Sequence, residues 1–97
     1  MSSRTISRFA FSRWEFLSAP LPVVLAACQA MVTETRDHDR DFTGGLVTDG
    51  FPLEVQVPAE QNTVERDGTI RGLLAHWHGV DTTDWPVPMV LVRERAA

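Results

Sequence analysis

The chain predicts an α+β fold: a curved, mainly antiparallel sheet with one or two helices. Three observations predict it. Leu53-Glu-Val-Gln-Val57 alternates apolar and polar residues at the strand period. Val24, Cys28, Met31 and Val32 recur at helical intervals behind Ser18 and Pro20. The pairs Gly44-Gly45, Asp49-Gly50 and Asp67-Gly68 mark places where the chain turns.

Size and composition narrow the class. The 97 residues suit one domain with one modest core. The expected organisation is a flexible basic arm over 1–8 and a single α+β domain over 9–97. Apolar residues at 43% and charged residues at 23% are ordinary for a globular domain, which excludes disorder, collagen and coiled coil. The net charge of -4 argues against nucleic acid, whose phosphates need a basic face. No apolar run reaches the length of a membrane span. The lone cysteine, Cys28, forms no internal disulfide, and the chain reads as cytoplasmic. One competing signal is Leu25-Ala-Ala-Cys28, which looks like a bacterial lipoprotein cleavage site. Against it, Trp14, Glu15 and Phe16 occupy the leader, and Pro20 and Pro22 interrupt the apolar run.

The elements follow in chain order. Phe11–Leu17 reads as a strand with Trp14 and Phe16 on one face. Residues 20–36 carry two readings. Alanines and an early proline favour a helix, while valines and threonines favour a strand; the local pattern leans to helix. The charged stretch from Glu34 to Asp41 reads as an exposed end or loop. Leu53–Val57 is a strand with Leu53, Val55 and Val57 inward, and Pro58 closes it or marks an edge. Thr63–Arg66, Asp67-Gly68 and Thr69–His78 read as a tight hairpin, because Asp-Gly supplies the positive φ angles of a two-residue turn. Val87–Val92 is a candidate last edge strand.

Thr48-Asp-Gly-Phe-Pro-Leu-Glu-Val-Gln-Val-Pro58, then Val64-Glu-Arg-Asp-Gly-Thr-Ile70, then His76-Trp77 resembles the closing strands of the SnoaL-like (NTF2-like) superfamily. The resemblance spans about residues 43–78. It implies a cone-shaped barrel, a curved sheet around an apolar pocket. Residues 1–19 do not supply the family's opening helices, so the expected cone is a trimmed one. The family's epoxide hydrolases use an arginine and two aspartates. Ala75 stands where the last-strand aspartate belongs, and Arg36-Asp37-His38 lacks the aspartate two residues on. No catalytic assignment follows from that branch.

The candidate chemistry centres on histidine. On a strand, His76 and His78 share one face. With His38 nearby, three imidazoles would make an open zinc site. The plainer readings are a pocket histidine acting as general base, with Asp81 or Asp84 orienting it, or a ring packed against Trp77 or Trp85. His38 between Asp37 and Asp39 belongs to a charge run, which usually marks a solvated face. Cys28 sits in apolar surroundings that raise a thiol pKa and make it a poor nucleophile. The expected site is therefore His76, His78 and His38 as catalytic candidates, with Trp77, Leu74 and Trp14 lining a pocket. Neither a metal nor a cofactor is assigned.

Two functions fit. One is a small NTF2-like domain binding an apolar small molecule, as an isomerase, cyclase or hydrolase. The other is a non-catalytic bacterial or phage regulatory module that docks on a partner protein through an acidic surface. An edge strand at Leu53–Val57 or Val87–Val92 on so small a core points to a homodimer.

Overall fold

The computed structural model describes residues 9–37 and 40–86. Its elements are α1 (Arg13–Ser18), α2 (Leu21–Cys28), β1 (Ala30–Thr35), β2 (Gly45–Val47), β3 (Leu53–Pro58) and α3 (Thr63–Trp77). The α+β class holds. The sheet is mixed and open, in the order β1-β3-β2, rather than mainly antiparallel. The central strand β3 runs parallel to β1 over six residue pairs and antiparallel to β2 over three. Three helices accompany it among the described residues, where one or two were expected. The expected arm over 1–8 and the expected strand Val87–Val92 lie outside the described residues.

The Phe11–Leu17 segment is helical instead of extended. Ser12 caps α1, its Oγ accepting from the Glu15 N–H at 3.1 Å. This is the reciprocal spacing of a helix start, Ser-x-x-Glu. Residues two apart on a helix diverge by about 200°. Phe16 therefore enters the core while Trp14 stays 71% exposed.

Residues 20–36 divide between their two readings at Gln29. The alanine-rich half forms α2 behind Pro20, where the missing N–H of an early proline costs nothing. Gln29 then adopts φ 54, ψ 54, a left-handed conformation that ends the helix. Its carbonyl accepts the Leu53 N–H at 2.8 Å, so the chain leaves α2 already registered on β3. The half richer in β-branched residues continues as β1.

The alternation in β3 holds. Leu53, Val55 and Val57 are 1%, 0% and 0% exposed, facing the helices. Their partners Ala30, Val32 and Glu34 share that face. Being central, β3 offers no free edge, so the expectation of an edge at Leu53–Val57 is corrected. Pro58 is the last residue of β3, and the Ala59 N–H beyond it still donates to the Thr35 carbonyl at 2.9 Å.

The largest correction is α3. The expected Asp-Gly hairpin is one helix of 15 residues. Asn62 caps it, its Oδ1 accepting from the Glu65 N–H at 2.9 Å. Ile70, Leu73 and Leu74 follow at helical spacing and lie buried on the sheet. Burying three such side chains contributes about 1.5–3 kcal/mol each, more than the roughly 1 kcal/mol that a glycine costs inside a helix. Gly68 is thus tolerated at mid-helix, and its carbonyl accepts the indole N–H of buried Trp85 at 2.9 Å.

Two other glycines are tied to α3. A Cβ on Gly44 would lie 2.7 Å from Thr69 Cγ2 and 3.3 Å from Leu73 Cδ1, so only glycine lets the entry to β2 approach the helix this closely. Gly79, at φ 81, ends α3. Its N–H donates to the His76 carbonyl and the Val80 N–H to the Ala75 carbonyl, the paired bonds of a Schellman stop.

Candidate functional site

The helical state of α3 rearranges the candidate histidines. His76 and His78 would share a face on a strand, but on the helical backbone they diverge by about 200°. His76 is exposed in the last turn, and His78 is the C-terminal cap. The structure therefore does not bring them together as a pair of ligands. His38 lies outside the described residues, as does Asp39. Among the described residues no group of three His, Cys, Asp or Glu side chains is placed to hold a metal ion.

His78 joins an aromatic cluster. Its ring lies 4.7 Å from Phe11 and 6.0 Å from Phe16, centroid to centroid. Phe9 meets both phenylalanines edge-on at 4.9 Å. Burial against these rings lowers the His78 pKa, favouring neutral imidazole. The partners are thus Phe11 and Phe16, not the Trp77 or Trp85 of the sequence expectation. Of the two aspartates expected to orient a histidine, Asp81 is engaged elsewhere. Asp81 accepts hydrogen bonds from the Thr83 side chain at 2.7 Å and the Thr83 N–H at 2.9 Å, which hold its carboxyl below the usual range.

The expected pocket residues separate. Leu74 is fully buried, Trp77 is 38% exposed, and Trp14 stands out in solvent. The buried Cys28 thiol is pushed up to about 11 by desolvation, as its apolar surroundings foretold.

Sequence reasoning passed over the arginines, three of which bind backbone carbonyls. Arg13 donates to the Asp81 and Asp84 carbonyls and lies 5.2 Å over the Trp85 ring. Arg66 donates to Glu34 at 2.7 Å and to the Pro58 and Ala59 carbonyls. Arg71 pairs with Asp67 and donates to the Phe16 and Ala19 carbonyls. Guanidinium, with five donors in a planar fork, suits this role better than ammonium. The signal was the basic composition, which contains arginine alone.

The remaining feature with binding capacity is the sheet's edge. Among the described residues β1 has β3 on one side and no strand on the other. The bonds from Leu53 N–H to Gln29 and from Ala59 N–H to Thr35 show which residues face β3. By alternation Met31 and Thr33 also turn inward along the sheet, and the backbone groups of Ala30, Val32 and Glu34 turn outward. The opposite edge, β2, is only three residues long.

No family model, no curated protein and no solved structure matches this chain.

Proposed function

We propose that the protein is a non-catalytic module that docks on a partner by strand addition along β1. The β1 edge, open among the described residues, carries this reading. Proteins normally blunt such edges with proline, lysine, bulges or short length. β2 is short, whereas β1 offers six residues with no proline and no basic side chain. Its one charge, Glu34, is already paired with Arg66 across 2.7 Å. An extended partner segment would gain backbone hydrogen bonds from Ala30, Val32 and Glu34, and side-chain contacts with Met31 and Thr33.

The interior supports this reading over an NTF2-like enzyme acting on an apolar ligand. Such an enzyme needs a titratable group in an apolar chamber. The described core instead buries one titratable side chain, Cys28, whose thiol is held protonated. The described part of the charged run sets Glu34, Asp37 and Asp41 against Arg36 and Arg40, and Glu34 is taken up by Arg66, so the docking rests on the edge rather than on acidity.

The test is selection of extended peptides on the immobilised full chain, followed by amide shift mapping. Shifts concentrated on Ala30–Thr35 are expected. Shifts centred on the inward side chains of β3 and α3 would overturn docking in favour of a ligand chamber.

A further inference from the structure

We infer that the strand received by β1 is the β1 of a second copy, paired antiparallel about a two-fold axis through Val32. This rests on the strand-addition reading and names its partner. The argument is one of parity and charge.

The outward backbone groups belong to Ala30, Val32 and Glu34, spaced symmetrically about Val32. An antiparallel copy centred there sets Val32 opposite Val32 of the second copy, and Ala30 opposite Glu34 in both directions. Every outward N–H and C=O within these residues then meets its complement. A centre moved to Thr33 would pair Ala30 with Arg36, beyond the end of the strand. A centre moved to Met31 would leave Glu34 opposite Cys28, inside α2.

Face and charge agree with the Val32 centre. Opposed residues share a face, so Val32 meets Val32 on the side that faces the helices, and Met31 meets Thr33 on the other. Glu34 meets Ala30, so no like charges oppose each other across the join. Met31, 47% exposed as the chain stands, gains an apolar-to-threonine contact across the join. A two-fold interface is self-complementary, so both β1 edges are satisfied at once and none remains to propagate, and a docking peptide binds Ala30–Thr35 in competition with the second copy.

Sedimentation of the full chain tests this, with three variants. The wild type is expected at twice 10.8 kDa. Val32→Pro removes an outward donor while sparing the β3 ladder, and is expected to sediment as a monomer with unchanged far-ultraviolet dichroism. Thr33→Pro removes an inward donor and is expected to lose structure instead. Val32→Cys in a Cys28→Ser background is expected to form a disulfide-linked dimer on oxidation. A monomeric wild type whose β1 amides still shift with peptide would overturn the second copy and leave strand addition standing. A dimer indifferent to Val32→Pro and not cross-linked through position 32 would overturn the second copy on β1, and the same result with β1 amides unmoved by peptide would overturn strand addition as well.

Discussion

Arg71 Nη1 donates to the Phe16 carbonyl oxygen at 2.9 Å, joining the middle of α3 to α1 across 55 positions of sequence. The same nitrogen reaches the Ala19 carbonyl, and Nε is held by Asp67 one turn back at 2.8 Å. A helix of six residues has little stability of its own. This guanidinium satisfies carbonyls that α1 leaves open at its end.

Arg71→Met keeps most of the apolar stem and removes every donor. It is expected to cost about 2–3 kcal/mol, the scale of hydrogen bonds to a charged group. Asp67→Asn removes a half-exposed ion-pair partner and is expected to cost under about 1 kcal/mol. Urea unfolding measures both. Equal losses would contradict the ranking.

Asn62→Ala leaves the Glu65 N–H without its cap and is expected to destabilise by about 1 kcal/mol. Asn62→Asp is expected to hold or raise stability, because a carboxylate caps as well and suits the positive helix terminus. Thermal unfolding of the two variants separates a cap from a loop residue, where both substitutions would be neutral.

Gly79→Ala places a Cβ on a residue with φ 81 at the end of α3. Nothing lies within 4 Å of that Cβ, so the cost is conformational alone, about 1 kcal/mol. Gly44→Val instead meets Thr69 and Leu73 directly and is expected to cost more, about 1–3 kcal/mol of overpacking. Denaturant midpoints should rank Gly44→Val below Gly79→Ala.

Stability is expected to fall at both ends of the pH range, for opposite reasons. Folding raises the Cys28 pKa, so its contribution is complete below the unfolded value of 9.0 and is lost as pH rises towards about 11. His78 is lowered from 6.5, so the unfolded chain binds the proton more tightly. Its contribution is present above 6.5 and declines as pH falls through the lower folded value. Cys28→Ala should flatten the alkaline limb of melting temperature against pH. His78→Phe, which keeps a ring beside Phe11, should flatten part of the acid limb.

Much of the local structure is legible in the residues. Leu53, Val55 and Val57 alternate as they pack, and residues 20–36 contain both the helix and the strand proposed for them. Ser12-x-x-Glu15 and Asn62-x-x-Glu65 also carry the capping spacing of helix starts, a signal that the strand reading of Phe11–Leu17 and the hairpin reading of Thr63–His78 left unused. At α3 that signal competes with Asp67-Gly68, a strong local turn pair. The hairpin reading sets His76 and His78 side by side, and the helix separates them. The site expectation thus followed the element assignment.

Composition and short-range pattern sufficed for the α+β class, the inward face of β3 and the inert character of Cys28. Each depends on neighbours a few residues away. The helical state of α3, the parallel pairing of β1 with β3 and the β1 edge left open among the described residues were decided in three dimensions. The sheet offers Ile70, Leu73 and Leu74 an apolar surface only when Thr63–Trp77 is helical. The gain from burying them outweighs the turn preference of Asp67-Gly68. β3 comes to lie between strands that both precede it in the chain, which no local periodicity encodes.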